Sequence, residues 1–321
     1  MPAEKPADVP GGTAGQTFTV DEFLGLARSL DPAQVRLCAV LGRPVAHSLS
    51  PVIHHRAARG NPHFRYVRVE AGDTAELREL TSAAPACVGG YSVTMPGKPV
   101  ALQIADTATA RARAVGSANT LTPVRDGRGR PTGRWSAENT DVDGVTTCLN
   151  SVLGDAVPER AVVVGNGGTA RPAVAALVAR GVRHICVAAR SERALGLRSL
   201  VEGGTGDEGE SRTGATFSWV RLDSPELPGV CEDAGVLVST VPEAAAGEHA
   251  GDLALAGAVV DVIYDPYPTR LMSAAGSLGR PVADGLLMLA GQGAEQFRLF
   301  TGSTASVSTM YSALREHLRL D

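Results

Sequence analysis

A chain of 321 residues with 44% hydrophobic content is long enough for two domains of about 150 residues each and apolar enough to bury a core in both. Its 30 basic and 34 acidic residues are interspersed to a formal net charge of −4, so no basic stripe is present to track a phosphate backbone, and nucleic acid is not an expected partner. No apolar run reaches the ~18 residues of a bilayer span, and five scattered cysteines without a C-x-x-C pair encode neither a disulfide framework nor a zinc site; the expectation is a cytoplasmic protein without a membrane contact or a metal.

Residues 1–16 are polar, carry three prolines and three glycines, and lack the apolar segment of a secretory signal, so they read as a tail. Val20, Phe23, Leu24, Leu26, Ala27 and Leu30 follow at helical spacing until Asp31-Pro32 stops them, which predicts a short helix added at the surface; 1–34 is thus an N-terminal extension. Residues 35–41 read as the first strand and run into G-R-P-V-A-H-S-L-S-P. Ser50 before Pro51 is a helix-start signature with a hydroxyl N-cap and proline at N1. Ser50 either only caps that helix or joins Ser48 in donating hydrogen bonds to a ligand carboxylate at its positive end. Residues 64–69 and 87–94 read as strands with a helix at 73–80 between them, and the second strand ends in V-T-M-P-G-K. Pro96 cannot continue a ladder and Pro99 opens the next helix, so Lys98 sits on a sharp strand-to-helix turn, where α/β sheets hold ligands; the alternative is an ordinary solvated lysine. Asn119 and Asp141 each stand beside a threonine where a strand-like run breaks, as ligand-binding groups or as Asx-turn formers.

Residues 161–181 form the pattern of strand, glycine turn and helix. A-V-V-V reads as a strand buried on both faces, Gly165, Gly167 and Gly168 interrupt it, and an apolar helical pattern begins at Ala170 and closes at Gly181. Such a turn lets the backbone approach a pyrophosphate at a helix amino end, although G-x-G-G-x-A alone leaves open the glycine turn of an unrelated α/β protein. The next strand ends in Ala189-Arg190-Ser191, where an NAD-selective site places Asp or Glu about 20 residues beyond the glycines. A guanidinium and a hydroxyl there, with Arg193 close behind, suit a 2′-phosphate, so NADP(H) is the expected cofactor. Glu192 points into the following helix on this reading. Further strands are expected at 215–222, 235–240 and 258–264, a mobile Gly/Glu-rich loop at 203–214, and helices at 270–276, 286–300 and 306–320. Met288 and Leu289 share helical spacing with Gln292 and Gln296 and read as packing.

H-S-L-S-P, V-T-M-P-G-K, S-A-N-T, N-T-D-V-D-G, the glycine turn, D-V-I-Y-D-P-Y-P-T and D-G-L-L-M-L-A-G-Q-G-A-E-Q-F, in this order, resemble the shikimate dehydrogenase family over residues 35–321. The resemblance implies an α/β fold of two domains: an N-terminal mixed α/β substrate domain (35–142 and 285–321) and a Rossmann-type NADP-binding domain (143–284), with both ligands in the cleft between them. It implies that Ser48 and Ser50 bind the substrate carboxylate, that Thr94, Asn119, Asp141 and Gln292 hold its hydroxyls and reacting oxygen, and that Tyr264 lines the same site. Lys98 and Asp141 become the catalytic pair, the ammonium donating a proton as hydride arrives and the carboxylate orienting it. Gly165, Asn166, Gly167, Gly168, Thr169, Ala170, Arg190, Ser191, Arg193, Thr240 and Gly285 are assigned to the cofactor. The implied activity is the reversible reduction of 3-dehydroshikimate to shikimate in chorismate and aromatic amino acid biosynthesis. A quinate/shikimate or aminoshikimate dehydrogenase and a silent regulator sensing a quinate-like ligand are the alternatives, and a homodimer is allowed for. Ala189 stands where the family has Asn before Arg-[Ser/Thr], Arg193 lies one residue early for the second basic position, Asn166 replaces a small residue, Gly97 a frequent histidine and His55 an asparagine.

Overall fold

A computed structural model describes residues 16–203 and 214–320; most of the expected tail and of the loop at 203–214 lies outside them. The chain divides into two units, Met1–Glu138 with Gly293–Asp321, and Asn139–Gln292. The breaks, 138/139 and 292/293, fall four and eight residues from the expected 142/143 and 284/285, which moves Asp141 and Gln292 into the second unit.

Seven strands of the first unit form one mixed sheet among the described residues: β1 (Thr17–Phe18), β2 (Arg36–Gly42), β3 (Phe64–Glu70), β4 (Val88–Val93), β5 (Thr107–Ala108), β6 (Thr120–Arg125) and β7 (Pro131–Glu138), in the order β1-β3-β2-β4-β6-β7-β5. β1 through β4 run parallel, and β6 pairs antiparallel with both β4 and β7 around the turn at Asp126. Helices α1 (Val20–Ser29), α2 (Ser50–Ala57), α3 (Thr74–Ser82), α4 (Lys98–Ile104) and α5 (Ala110–Val115) connect them. Reciprocal capping boxes start two of the helices, Thr19 with Glu22 on α1 and Asp73 with Glu76 on α3, each satisfying two backbone N–H groups.

The N-terminal helix is not a surface addition. Phe23, Leu24 and Ala27 are 0%, 1% and 0% exposed, β1 extends the sheet edge along β3, and the Phe23 ring meets Tyr91 edge-on at 5.8 Å. The local pattern shows an amphipathic helix, but which surface its apolar stripe covers depends on a sheet formed far along the chain. Tyr91 stacks on Trp135 at 5.1 Å, and both polar tips are satisfied, the phenol by Leu80 O (2.9 Å) and the indole by Thr81 O (2.9 Å).

In the second unit, α6 (Asp141–Leu153) leads into β8 (Arg160–Val164), α7 (Ala170–Arg180), β9 (His184–Ala189), α8 (Arg198–Glu202), β10 (Thr216–Arg221), α9 (Leu227–Glu232), β11 (Val236–Ser239), α10 (Glu243–Ala246), α11 (Ala250–Leu253), β12 (Val259–Asp261), α12 (Arg270–Ser277) and β13 (Val282–Asp284). All described pairings are parallel, in the order β10-β9-β8-β11-β12-β13, the doubly wound dinucleotide-binding order that reverses beside β8. Its strands are short apolar runs, as a sheet covered on both faces demands. Gly181 ends α7 with φ +93°, its N–H bonding the carbonyls of Leu177 and Val178. The strand expected over 258–264 stops at Asp261, so Tyr264 lies in a loop. α13 (Gly285–Thr301) crosses from the second unit into the first, and α14 (Val307–Leu318) packs on α2, with Arg56 Nη2 2.5 Å from Glu316 Oε2.

Phe23→Ala is expected to cost about 3–5 kcal/mol, the usual range for emptying a buried aromatic site. The urea denaturation midpoint measures it, and a loss below about 1 kcal/mol would return α1 to the surface.

Candidate active site

The first unit gathers five of the expected residues at the carboxyl end of its parallel strands. Leaving β2, the chain is tied to the end of β4 by Thr94 N–H to Leu41 O (2.8 Å) and Arg43 N–H to Met95 O (3.0 Å). A Cβ on Gly42 would lie 2.3 Å from Thr94 Cγ2, so glycine is required for the two ends to approach this closely. Gly97 N–H to Thr94 O (2.9 Å) closes the M-P-G turn, and Lys98 is the first residue of α4, one turn position earlier than the proline suggests. Asn119 lies beside this end, its carbonyl accepting from Val93 N–H (2.7 Å), and Lys98 O accepts from Ala118 N–H (3.0 Å).

Ser48 and Ser50 precede and open α2. Ser50 is its first residue and caps nothing: Leu49 is the N-cap, with no side-chain hydrogen bond, because Pro51 inside the first turn shifts the start by one. The Ser50 hydroxyl instead accepts from Ser48 Oγ (3.2 Å), which pairs the two hydroxyls at the helix amino end. Behind them Arg68 is buried on β3 and donates from Nε (3.0 Å) and Nη2 (2.7 Å) to Ser48 O, fixing the loop.

Gln296 also went unassigned by sequence reasoning. Its Nε2 donates to Asn119 O (3.1 Å) and Thr120 Oγ1 (3.0 Å), while its Oε1 accepts from Ser92 Oγ (2.7 Å), itself the acceptor of Tyr66 Oη–H (2.6 Å). Thr120 Oγ1 donates to Asn119 Oδ1 (2.8 Å), so the Asn119 amide orientation is set by a buried polar chain. The available signals are an arginine at a core-facing position of F-R-Y-V-R-V-E and a glutamine one turn beyond Gln292 on an apolar helix face.

Asp141, Gln292 and Tyr264 belong to the second unit. Asp141 is the buried first residue of α6, a helix start rather than an Asx turn. α6 and α13 cross closely: a Cβ on Gly144 would lie 2.6 Å from Met288 O, and one on Gly291 2.5 Å from Thr147 Oγ1. That contact sets Gln292 against the start of α6, where its Oε1 accepts from Thr140 Oγ1 (3.4 Å) while its Nε2 donates to Leu289 O (3.2 Å). Met288 is buried as packing. Tyr264 is half-buried, and burial together with Asp265 raises its phenol pKa.

The cofactor residues surround the carboxyl ends of β8, β9 and β11. Gly165 (φ +106°) turns where a Cβ would strike Val241 and Thr240, at 2.6 and 2.8 Å. Asn166, Gly167 and Gly168 are exposed, and a Cβ on either glycine would meet nothing within 4 Å. Thr169 begins α7 without a side-chain cap and Ala170 is buried beneath it, so the helix presents backbone to a ligand. Arg190, Ser191 and Arg193 are exposed just past β9, neither guanidinium in an ion pair among the described residues, and Glu192 opens a 3₁₀ turn. Thr240 donates its hydroxyl to Val164 O (2.7 Å). Gly285 is buried against the Val262 carbonyl, 2.2 Å from where its Cβ would be, so its glycine is required by packing within the unit. An open glycine turn, an uncapped helix end and unpaired guanidiniums past β9 fit a dinucleotide with a 2′-phosphate. Among the described residues no cluster of His, Cys, Asp or Glu could hold a metal, and no helix is long and apolar enough to cross a membrane.

The family profiles "Shikimate dehydrogenase substrate binding domain" and "Shikimate 5'-dehydrogenase C-terminal domain" match residues 40–121 and 285–315. The chain is 35% identical over 281 residues to the shikimate dehydrogenase (NADP(+)) of Methylobacterium radiotolerans, covering 84% of this chain and 92% of that one. The chain belongs to the shikimate dehydrogenase family. Among solved structures it is similar to a shikimate 5-dehydrogenase from Mycobacterium fortuitum (41% identity, TM-score 0.76, 87% of this chain and 97% of that one). It is equally similar to the Mycobacterium tuberculosis shikimate dehydrogenase (39%, 0.76, 88% and 99%).

Two departures from the family pattern have a physical reading. At Gly97, where the family often has histidine, a Cβ would lie 2.9 Å from Val93 Cγ1, so here the turn is drawn tighter onto β4. At His55, in place of asparagine, Nε2 accepts from Tyr66 N–H (3.3 Å), and burial followed by the field of Arg68 lowers its pKa.

Adjacent His54 stacks on Tyr66 with ring centroids 4.1 Å apart, and burial pushes its imidazole down to about 3 from 6.5, partly opposed by Gln296. Between these values the unfolded chain binds a proton the folded one excludes. The stability contribution is therefore full above pH 6.5 and is lost as pH falls toward 3, by up to about 1.4 kcal/mol per pH unit. Urea midpoints from about pH 7 to pH 4 should show that slope, reduced by about one proton in His54→Phe; a slope the substitution leaves unchanged assigns it to another group.

Proposed function

We propose that this chain catalyses the reversible, NADPH-dependent reduction of 3-dehydroshikimate to shikimate. The observation that carries the proposal is the set of Ser48, Ser50, Thr94, Lys98 and Asn119 at one end of the first unit's sheet, in a chain of this family. The paired serine hydroxyls at the amino end of α2 bind the substrate carboxylate. Thr94, Asn119, Gln292 and Tyr264 hydrogen-bond the ring hydroxyls, and the network through Gln296 keeps the Asn119 amide in one orientation.

When bound, the dihydronicotinamide supplies the hydride that reaches the carbonyl carbon. Lys98 Nζ donates the proton to the carbonyl oxygen as the carbon–oxygen double bond becomes single, and solvent reprotonates the amine; oxidation of shikimate runs the same transfers backward. Asp141 is the acidic member of the pair, accepting a hydrogen bond from the group that gains or loses the proton. The first-turn backbone of α7 and the open glycines hold the pyrophosphate, and Arg190, Ser191 and Arg193 the 2′-phosphate. Asn is absent at position 189, so that contact to the adenosine half is missing.

Following nicotinamide absorbance with shikimate, quinate and aminoshikimate, each with NADP+ and NAD+, tests the activity; a preference for quinate or for NAD+ would overturn the proposal. Lys98→Ala should lower kcat by ~100-fold or more with KM little changed, the usual signature of a lost general acid, and near-normal turnover removes Lys98 from the chemistry. Arg190→Asp should move the kcat/KM ratio toward NADH by at least ~10-fold, because a bidentate donor to phosphate is replaced by an acceptor for a ribose hydroxyl; an unaltered ratio places phosphate recognition elsewhere.

A further inference from the structure

The first unit has a hollow of about 550 Å³ at the amino ends of β2 and β4. β2 is seven residues long, so this end lies roughly 20 Å along the strands from the carboxyl-end residues described above. Ligands of parallel α/β sheets bind at carboxyl ends, so the proposed reaction does not account for this hollow.

Its walls are cationic. Arg36, Arg59, Arg125 and His63 line it, and among the described residues no aspartate or glutamate does. Arg36 opens β2 and donates from Nη1 to Phe300 O (2.7 Å); Arg125 closes β6 and donates to Gly129 O (2.9 Å) and Val88 O (3.4 Å). Neither guanidinium forms an ion pair among the described residues. Both are half-buried, and the charge of Arg36, after burial, depresses the pKa of Arg125, so the two cations repel across the hollow. Carbonyl partners orient such groups without cancelling their charge. Gly89 seats Arg36, since a Cβ there would lie 2.7 Å from its Cγ. Arg59 adopts φ +51°, a conformation that non-glycine residues rarely take. His63 donates Nδ1–H to Gln34 O (2.6 Å), leaving Nε2 as its second polar atom. Thr301 and Ser303 add hydroxyls at the rim, while Phe64 and Phe297, 5.4 Å between ring centroids, make one wall apolar.

We propose that this hollow binds a small organic phosphate, its phosphoryl oxygens bridging the guanidiniums of Arg36 and Arg125 and its carbon skeleton lying against Phe64 and Phe297. A dianion matches two uncompensated cations, and a phosphoryl group offers enough oxygens for two planar donor forks. The volume is of small-molecule size, larger than inorganic phosphate alone requires.

Inorganic pyrophosphate is the probe, titrated calorimetrically into the full chain with NADP+ saturating, so that the 2′-phosphate contacts are already filled. Saturable binding at one site per chain is expected, weakening with added salt, and reduced at least tenfold in both Arg36→Gln and Arg125→Gln but not in Arg28→Gln on the exposed face of α1. Arg59→Gln is a further variant, its side chain exposed and without a hydrogen bond or ion pair among the described residues; it should weaken binding about threefold while thermal unfolding without pyrophosphate is unchanged. Absence of saturable binding to the unsubstituted chain, or equal affinity in the Arg36 and Arg125 variants, overturns the proposal.

Discussion

The chemically important turns approach their neighbours more closely than a Cβ allows. The start of the loop after β2 rests on the Thr94 methyl, the end of β8 turns under Val241 and Thr240, and α6 crosses α13 with Gly144 against the Met288 carbonyl and Gly291 against the Thr147 side chain. On the proposed reading, each approach brings a reactive or binding side chain to a strand end or helix start, where free backbone groups and helix dipoles are available. A methyl at Gly144 would have to move the Met288 main chain, and one at Gly42, Gly165 or Gly291 would press on the short β-branched side chains of Thr94, Val241, Thr240 or Thr147. The geometry of the chemistry therefore rests on steric clearance before any hydrogen bond is made.

Buried polar groups then fix what the glycines have brought close. Gln296 reaches Asn119 and Thr120 where β6 begins between β4 and β7, and Tyr66, Ser92, Gln296, Thr120 and Asn119 form a continuous chain of donors and acceptors. Breaking one link strands partners in a low-dielectric interior, so the chain specifies a single orientation for Asn119. The second unit uses the same device at its strand ends: Thr269 Oγ1 donates to Asp261 (2.7 Å), and Leu287 N–H to Asp284 (2.8 Å), which starts α13.

What could be read from the sequence was what local rules encode. The turn at Gly165, the stop at Gly181, the strand end at Arg190 and the sharp turn before Lys98 each combine a backbone requirement with a residue type that meets it. What escaped reading was decided by partners distant in the chain. Nothing near Phe23 announces Tyr91, so α1 reads locally as a surface addition, and nothing near Gln296 announces Asn119, which lies 177 residues earlier. Of the two readings open for Ser50, cap or ligand-binding hydroxyl, the cap rests on Pro51 alone, and the structure gives the N-cap to Leu49 while Ser48 holds the Ser50 hydroxyl. D-V-I-Y reads as strand because it is largely apolar and β-branched, while the ladder there ends at Asp261.

Arg68 shows how these layers combine on the proposed reading. Its guanidinium is turned onto the Ser48 carbonyl. The hydroxyls that meet the carboxylate are neutral, and positive potential reaches them from the α2 amino end and from a charge one residue behind. A direct arginine–carboxylate fork would bind more tightly, but equally in ground state and transition state, and such uniform binding lowers KM without raising kcat. Neutral donors in a positive field orient the ring while leaving product release unhindered, and the charge stays in the framework, where it holds the loop that presents them.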